Sequence, residues 1–175
     1  MVTINIAYTA PINPAGAVPT LTQSQVWAGL RRKVRRAQEF VPVIVACEVL
    51  QEGRTDPPAS HEKVVREVTF AAQGGPKSKS GGSGGPVPVK EICVHYPPAR
   101  VDFEQEDGST ISNIVSKGPE GELLMTYSFE WRHPDVEEGS AEAAGLEESH
   151  WKMAKMAVEG SIDTIRRFVK EGEIQ

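Results

Sequence analysis

The chain has 175 residues, 39% of them hydrophobic and 25% charged, and a net charge of −5 at pH 7. Such a chain suits one domain with a sizeable core, spanning residues 1–175. Its acidic balance argues against a nucleic-acid or anionic-membrane partner. No apolar run approaches the roughly 18 residues of a membrane span, and Met1–Asn13 lacks the pattern of a signal peptide. Cys47 and Cys93 lack metal-type spacing and, without an export signal, are predicted to be buried thiols of a cytoplasmic protein.

The N-terminal third predicts a strand, a helix and a second strand. Thr3–Tyr8 alternates weakly between apolar and polar residues, which indicates a strand. Thr22 and Gln25 form a capping-box pattern that opens an amphipathic helix reaching about Phe40. Val41–Leu50 is rich in β-branched residues and predicts the next strand.

The predicted helix carries a basic face of five cationic residues. These residues are Arg31, Arg32, Lys33, Arg35 and Arg36. One interpretation is a patch for phosphate or for an acidic partner. The other is a solvated surface, which the acidic total charge favours.

The strand that follows combines apolar residues with an arginine on one face. Glu62, Val64, Arg66, Val68 and Phe70 share this face. A buried guanidinium without a partner is costly. Arg66 is therefore predicted to form either a salt bridge at the sheet edge or an anion contact inside a cavity.

Gly74–Pro88 is a low-complexity segment rich in glycine and serine. It has no phosphate-loop signature and no helical pattern after it. We predict a flexible loop at a hairpin tip, with a lid over a cavity mouth as the alternative.

Three more strands are predicted after this loop. They are Val89–Tyr96, Arg100–Glu106 and Ser109–Lys117. The first is expected to turn Tyr96 inwards, on the side of Ile92 and Val94. Asp107–Gly108 is a hairpin signal between the other two. In the last strand Asn113 is the polar exception on an otherwise apolar face.

The final predicted strand, Glu122–His133, has the clearest alternation in the chain. One side carries Leu123, Met125, Tyr127, Phe129, Trp131 and His133. This face mixes large apolar groups with a phenol and an imidazole. It is expected either to fill an ordinary core or to form the wall of a ligand cavity.

Ala141–Glu171 has the composition and apolar spacing of a long amphipathic helix. Strands followed by one long helix indicate an α+β fold. A curved antiparallel β-sheet of about six to seven strands, wrapped around a long C-terminal α-helix, buries both apolar faces at once. This is the helix-grip fold, and it is expected to contain an internal cavity.

Two segments resemble a known family. PINPAGAVPTLTQSQVWAGLRRKVRRAQEFVP and LLMTYSFEWRHPD are similar to the AtaL-like family of fungi and bacteria, within the START and birch-pollen-allergen superfamily (SRPBCC) of helix-grip domains. The resemblance runs from Val2 to about Val169. It implies a cavity for lipids, hormones or polyketides, and in some members a cyclase or isomerase activity without cofactors. The association of some members with fungal secondary metabolism implies a biosynthetic substrate. No catalytic motif comes with the resemblance.

The candidate site residues follow from the strand faces. Polar groups on apolar faces suit a small-molecule site, and the predicted catalytic residues are Arg66, Asn113, Tyr127 and His133. The predicted ligand-binding residues are Val68, Phe70, Tyr96, Phe103, Met125, Phe129 and Trp131. His133 would move a proton, Tyr127 would donate to a carbonyl oxygen, and Arg66 or Asn113 would stabilise an oxyanion. A shift of register would make Glu48 or Glu130 the base instead.

No cofactor and no metal is predicted. The four histidines share no spacing, and Glu147 and His150 form half of a metal motif without a second copy. Three functional hypotheses remain. The first is a cofactor-free cyclase or isomerase of a polyketide- or peptide-derived intermediate, and the second is a carrier that uses the same cavity. The third is an interaction domain acting through the basic face at 31–36.

Overall fold

The computed structural model describes residues 1–72 and 85–175, which form one antiparallel sheet and two α-helices. The strands are β1 (Val2–Pro11), β2 (Ile44–Arg54), β3 (Glu62–Phe70), β4 (Val87–Tyr96), β5 (Arg100–Gln105), β6 (Thr110–Lys117) and β7 (Leu123–His133). The helices are α1 (Gln23–Arg35) and α2 (Ala141–Lys170). Every predicted strand and helix is present.

The sheet is a meander from β2 to β7, and β1 adds to its end beside β7. The strand order is β1-β7-β6-β5-β4-β3-β2, with all neighbours antiparallel. Helix α2 packs on β1 and β7, while α1 packs on β2, β3, β6 and α2. The predicted α+β helix-grip fold is confirmed, with seven strands.

Helix α1 begins as predicted but ends earlier. The Thr22 hydroxyl accepts a hydrogen bond from the Gln25 amide at 3.2 Å, and the Gln25 side chain accepts one from the Thr22 amide at 2.9 Å. The helix ends at Arg35 because Arg36 has φ −141° and ψ 57°, outside the helical region. A 3₁₀ turn over Ala37–Glu39 follows. The apolar spacing continues through this turn, so periodicity alone placed the helix end too late.

Helix α2 matches its prediction closely. The Ser140 hydroxyl accepts from the Ala143 amide at 3.1 Å and caps the start of the helix. Its apolar stripe is buried at Ala154, Val158, Ile162, Ile165 and Phe168. Gly172, with φ +78°, adopts the left-handed conformation that ends many helices.

The basic face of α1 is neutralised by glutamates. The ion pairs are Arg31–Glu62, Arg32–Glu39, Arg32–Glu173, Arg35–Glu52, Arg35–Glu62 and Arg36–Glu39. These contacts favour the solvated-surface interpretation over a phosphate patch. The placement of Lys33 on this face was wrong, because its side chain is buried with 7% exposure. Lys33 continues the buried stripe of Val26, Gly29 and Leu30 at helical spacing.

The predicted inner face of β4 was wrong by one residue. Glu91, Cys93 and His95 point into the core, whereas Tyr96 lies half-buried on the other face and contacts His61. Both faces of this strand carry apolar residues, so alternation does not distinguish them. The Glu91 carboxylate faces inwards because it pairs with the buried Arg66 of β3.

The predicted loop Gly74–Pro88 falls mostly outside the described residues, because residues 73–84 are not described. Its last two residues, Val87 and Pro88, belong to β4 instead. The lid hypothesis therefore remains a prediction. Within the described residues, no helix has the length and hydrophobicity to cross a membrane.

The two helices approach each other closely at Gly29. A Cβ added at this position would lie 2.4 Å from Cγ1 of Ile165, a distance that real contacts do not show. Glycine here allows α1 to reach α2 and places the next turn of α1, with Lys33, over the sheet. The close approach therefore positions part of the site described below.

We expect Gly29→Ala to lower the free energy of unfolding by about 1 kcal/mol, because overpacking of roughly 1–3 kcal/mol outweighs the gain in helix propensity. Chemical denaturation of both proteins in urea would measure this. Gly145→Ala in α2 is the matched control, since nothing lies within 4 Å of its added Cβ. That control should gain about 0.5–1 kcal/mol, and an equal gain at Gly29 would contradict the close approach.

Candidate functional site

A pocket of about 370 Å³ opens between α1, the β2–β3 connection and the turn after β4. Its lining residues are Trp27, Arg31, Arg54, Ala59, Ser60, His61, Glu62, His95 and Pro97. We call it the Trp27 pocket. Its volume falls within the range of ~300–1,000 Å³ that is usual for small-molecule sites.

His95 is the fully buried residue of the Trp27 pocket. Its Nδ1 lies 3.3 Å from the backbone oxygen of Glu62, and the Trp27 ring meets it edge-on at 6.0 Å. Burial lowers the pKa of His95, so the imidazole is neutral at neutral pH. Its Nε2 has no hydrogen-bond partner among the described residues. The neutral His95 ring therefore lies between the Trp27 pocket and the core.

A second open pocket, of about 480 Å³, lies where β1 meets the start of α2. It is lined by residues 2–5, 138–140, 143, 144 and 147. Neither pocket is enclosed between the sheet and α2. The internal cavity predicted from the sequence therefore stays a prediction.

Seven buried polar side chains lie between the sheet and the helices. They are Lys33, Arg66, Glu91, Gln105, Asn113, Tyr127 and Ser161, and we call them the interior polar cluster. Lys33 comes from α1 and Ser161 from α2, and the strand register places the other five in two rows. Arg66, Glu91 and Gln105 are successive partners across β3, β4 and β5, and Asn113 pairs with Tyr127 across β6 and β7.

Arg66 has a complete set of partners. Its Nε and Nη2 donate to Oε2 of Glu91 at 2.8 and 2.6 Å, and its Nη1 donates to the carbonyl oxygens of Lys33 and Val34 at 2.9 Å each. Gln105 donates to the other Glu91 oxygen at 3.0 Å. Although burial opposes the charge, the Glu91 carboxylate raises the pKa of Arg66 overall. Of the two predicted alternatives the salt bridge is present, but on the inner face rather than at the sheet edge.

Asn113 and Tyr127 stand side by side and are each 1% exposed. Neither amide atom of Asn113 has a hydrogen-bond partner among the described residues. Burial raises the pKa of Tyr127, so its phenol stays protonated. The Ser161 hydroxyl counters this shift, although the two oxygens do not meet standard hydrogen-bond geometry. A protonated phenol beside an amide can polarise a carbonyl oxygen.

Lys33 places its amine over the ring of Tyr127, with Nζ 4.2 Å from the ring centroid. No ion pair to this amine is formed within the described part of the chain. Burial, together with the positive charge of Arg66, lowers the pKa of Lys33 to about 7. The neutral amine is therefore accessible near pH 7, unlike that of an ordinary lysine. A neutral amine is a base and a nucleophile, which an ammonium is not.

The four predicted catalytic residues do not form one site. Asn113 and Tyr127 are adjacent, and Arg66 is engaged with Glu91. His133 lies six residues further along β7 than Tyr127, about 20 Å away at strand spacing. It stacks on His150 of α2 instead, with ring centroids 5.1 Å apart.

The predicted ligand-binding residues divide into three groups. Phe103, Met125, Phe129 and Trp131 belong to the main core around Tyr127. Val68 and Phe70 belong to a smaller cluster beneath the 3₁₀ turn, and Tyr96 lies on the outer face. The alternative bases are also outside the core, since Glu48 is exposed and Glu130 pairs with Arg132 on the outer face.

Five buried polar residues of the interior polar cluster and the Trp27 pocket were missed in the sequence, namely Lys33, Glu91, His95, Gln105 and Ser161. A helical projection that ignored residue type would have found Lys33, because it repeats the spacing of Val26 and Leu30. Glu91 could have been found by asking which strand offers a carboxylate to Arg66. No comparable signal in the sequence identifies Gln105. The searched residues contain no group of three or more potential metal ligands.

Sequence comparison finds a clear match. The profile of the family described as acetylaranotin biosynthesis cluster protein L matches residues 6–172. A relative from Aspergillus terreus, acetylaranotin biosynthesis cluster protein L, is 29% identical over 173 residues. The match covers 99% of this chain and 94% of the relative.

Comparison of structures finds the same fold in aromatase/cyclases. The Zhui aromatase/cyclase from a Streptomyces species superposes with a TM-score of 0.60 at 14% identity, covering 96% of each chain. The di-domain aromatase/cyclase StfQ of the steffimycin biosynthetic pathway gives 0.57 at 12% identity. That match covers 98% of this chain, which spans only 52% of StfQ. At these identities the likeness shows the fold alone, and the helix-grip prediction is confirmed by it.

Proposed function

This chain belongs to the acetylaranotin biosynthesis cluster protein L family, and from this premise we propose that it acts on a lipophilic biosynthetic intermediate. The reaction is a cyclisation or isomerisation that needs no cofactor, and the substrate is polyketide- or peptide-derived. The fold shared with two aromatase/cyclases is consistent with this proposal.

The observation that carries the proposal is the interior polar cluster. Buried polar groups in proteins are nearly always hydrogen-bonded, so unpaired ones need a reason. Asn113 has two unpaired atoms, and Gln105 Oε1 is unpaired as well, within the described residues. A carbonyl oxygen of a ligand would accept from Nδ2 of Asn113, and a hydroxyl or N–H group of the same ligand would donate to the two amide oxygens. Its apolar body would contact the inner faces of β5 and β7.

The substrate would enter through the Trp27 pocket. His95 of this pocket shares a register row with Val101, Asn113 and Tyr127 across β4 to β7. A ligand that displaces the Trp27–His95 contact would therefore meet Asn113 and Tyr127 further along the same row. Tyr127 would donate to the substrate carbonyl, and Asn113 would orient it.

A carrier without turnover is the second candidate. Arg66 and Glu91 neutralise each other within the protein. The polar groups of the interior polar cluster that could still bind a ligand are therefore mostly neutral. Neutral polar groups in apolar walls are sufficient for binding. Ligand binding with no chemical change in any tested intermediate would favour this candidate.

We expect Tyr127→Phe to reduce product formation about 10²-fold or more while ligand affinity falls less than tenfold. The reason is that a donor to a developing oxyanion acts mainly in the transition state. The measurement is the product profile of the producing synthase with and without the protein. Tyr8→Phe is the matched control, since its phenol donates to Glu159 at 2.7 Å at the half-buried edge of the sheet. Equal losses in both variants would contradict a special role of Tyr127.

A further inference from the structure

The buried amine of Lys33 lacks the carboxylate partner that a buried lysine usually has. A buried ammonium is normally paired with a carboxylate. The nearby carboxylate is Glu91, but Arg66 occupies one of its oxygens and Gln105 the other. The amine instead lies over the face of Tyr127 at 4.2 Å, with 7% exposure of the residue. The fold thus keeps an amine in the core without the partner that would hold it charged.

We propose that the Lys33 amine forms a Schiff base with a ketone of the substrate, and that the substrate class is a lipophilic chain carrying several ketone groups. This inference rests on the proposed function and deepens it. Tyr127 lies directly under the amine, and Asn113 is the register partner of Tyr127 on the neighbouring strand. They would bind the carbonyl oxygen that the amine attacks.

The reaction balances without an outside reagent. The nitrogen of Lys33 adds to the carbonyl carbon, and the oxygen leaves as water after protonation, which gives an iminium ion. Loss of a proton from the adjacent carbon gives an enamine. This carbon then attacks a second ketone of the same molecule, and the alkoxide so formed takes a proton. Water hydrolyses the remaining iminium, restores the amine and releases a cyclic isomer of the substrate.

The protonation state of the amine agrees with this role. The charged or titratable groups that act on it are Arg66 from β3 and Glu91 and Cys93 from β4, and its amine lies over Tyr127 of β7. Cys47 of β2 faces the neighbouring residue, since its thiol donates to the Val34 carbonyl. Burial and the Arg66 charge lower the pKa of Lys33, while Glu91 and Cys93 oppose the shift. A neutral amine is therefore available near pH 7, as a nucleophile requires.

Acetylacetone is a direct probe of such an amine. This diketone condenses with a neutral amine, loses one water and leaves a stable conjugated adduct that absorbs in the near ultraviolet. The full chain would be incubated with acetylacetone at pH 7, and the adduct would be located by mass spectrometry of its peptides. Non-covalent occupancy would be followed separately by the fluorescence of Nile red, a neutral lipophilic dye.

We expect Lys33 to be labelled at least about 100-fold faster than exposed lysines, because exposed amines are almost entirely protonated at pH 7. Lys152, which is exposed and pairs with Glu148 at 2.7 Å, is the internal comparison. Lys33→Met should abolish the fast labelling, and Lys152→Met should leave it unchanged. If a variant folds poorly, the comparison of labelling at Lys33 and Lys152 in the original, unsubstituted protein still decides the result.

Two different failures can be told apart. If Nile red binds and acetylacetone displaces it without forming an adduct on Lys33, the Schiff base is overturned while the binding function stands. If neither compound binds, the proposed function fails together with the inference. Labelling of Lys33 at the same rate as Lys152 would show an ordinary amine and would also overturn the proposal.

Discussion

Glu91→Gln is expected to lower the free energy of unfolding by roughly 3–5 kcal/mol, because it leaves the buried Arg66 guanidinium without its counter-charge. Both residues of the pair are under 6% exposed at the side chain, and the contact is 2.6 Å. The amide of glutamine keeps the shape of the side chain but removes the negative charge. Urea denaturation followed by circular dichroism would measure the loss.

The exposed Glu104 of β5 provides the matched control for the same chemical change. Glu104→Gln should stay within about 0.5 kcal/mol of the original protein, as surface substitutions usually do. The double variant Arg66→Met, Glu91→Leu should recover most of the lost stability, since it removes both charges together. A loss below about 1 kcal/mol for Glu91→Gln would mean that the pair is hydrated rather than buried.

The parts of the fold with one dominant pattern were predictable from the sequence. β7 alternates over its whole length and α2 carries a long apolar stripe, so their type and their facing surfaces were both correct. The Asp107–Gly108 turn was predictable as well, because Gly108 has the positive φ of +80° that a tight hairpin favours. In each case local physics and tertiary packing favour the same structure.

The site was less predictable because its residues break the patterns on which prediction depends. Lys33 looks like one of several surface cations, although its helical position continues the buried stripe of Val26, Gly29 and Leu30. On β4 the polar residues face inwards and Ile92 faces outwards, with 37% exposure. Both departures put polar groups into the core, where they cost stability. Such conflicts between local pattern and fold are expected at functional sites.

The amine of Lys33 should therefore reduce the stability of the protein, and Lys33→Met should increase it. Methionine keeps the length of the side chain without its charge. A pKa lowered from about 10.5 to about 7 corresponds to a burial penalty on the order of 3–5 kcal/mol at pH 6, where folded and unfolded chains both carry the proton. We expect the variant to be more stable by up to this amount at pH 6, measured by urea denaturation.

The pH dependence of the stability gained by Lys33→Met tests whether the buried charge of the amine is its cause. Between about pH 7 and pH 10 the folded protein loses the proton of Lys33 while the unfolded chain keeps it, so the unfolded state binds more protons. The free energy of unfolding of the original protein must then rise with pH relative to Lys33→Met. The advantage of the variant should shrink by about 2–3 kcal/mol between pH 6 and pH 9. Lys152→Met, at an exposed position, should show no such trend. A gain that is constant with pH would mean that the folded and unfolded chains both keep the proton, so that the pKa of Lys33 is not lowered. A loss at every pH would mean that the contact of the amine with the Tyr127 ring stabilises the fold.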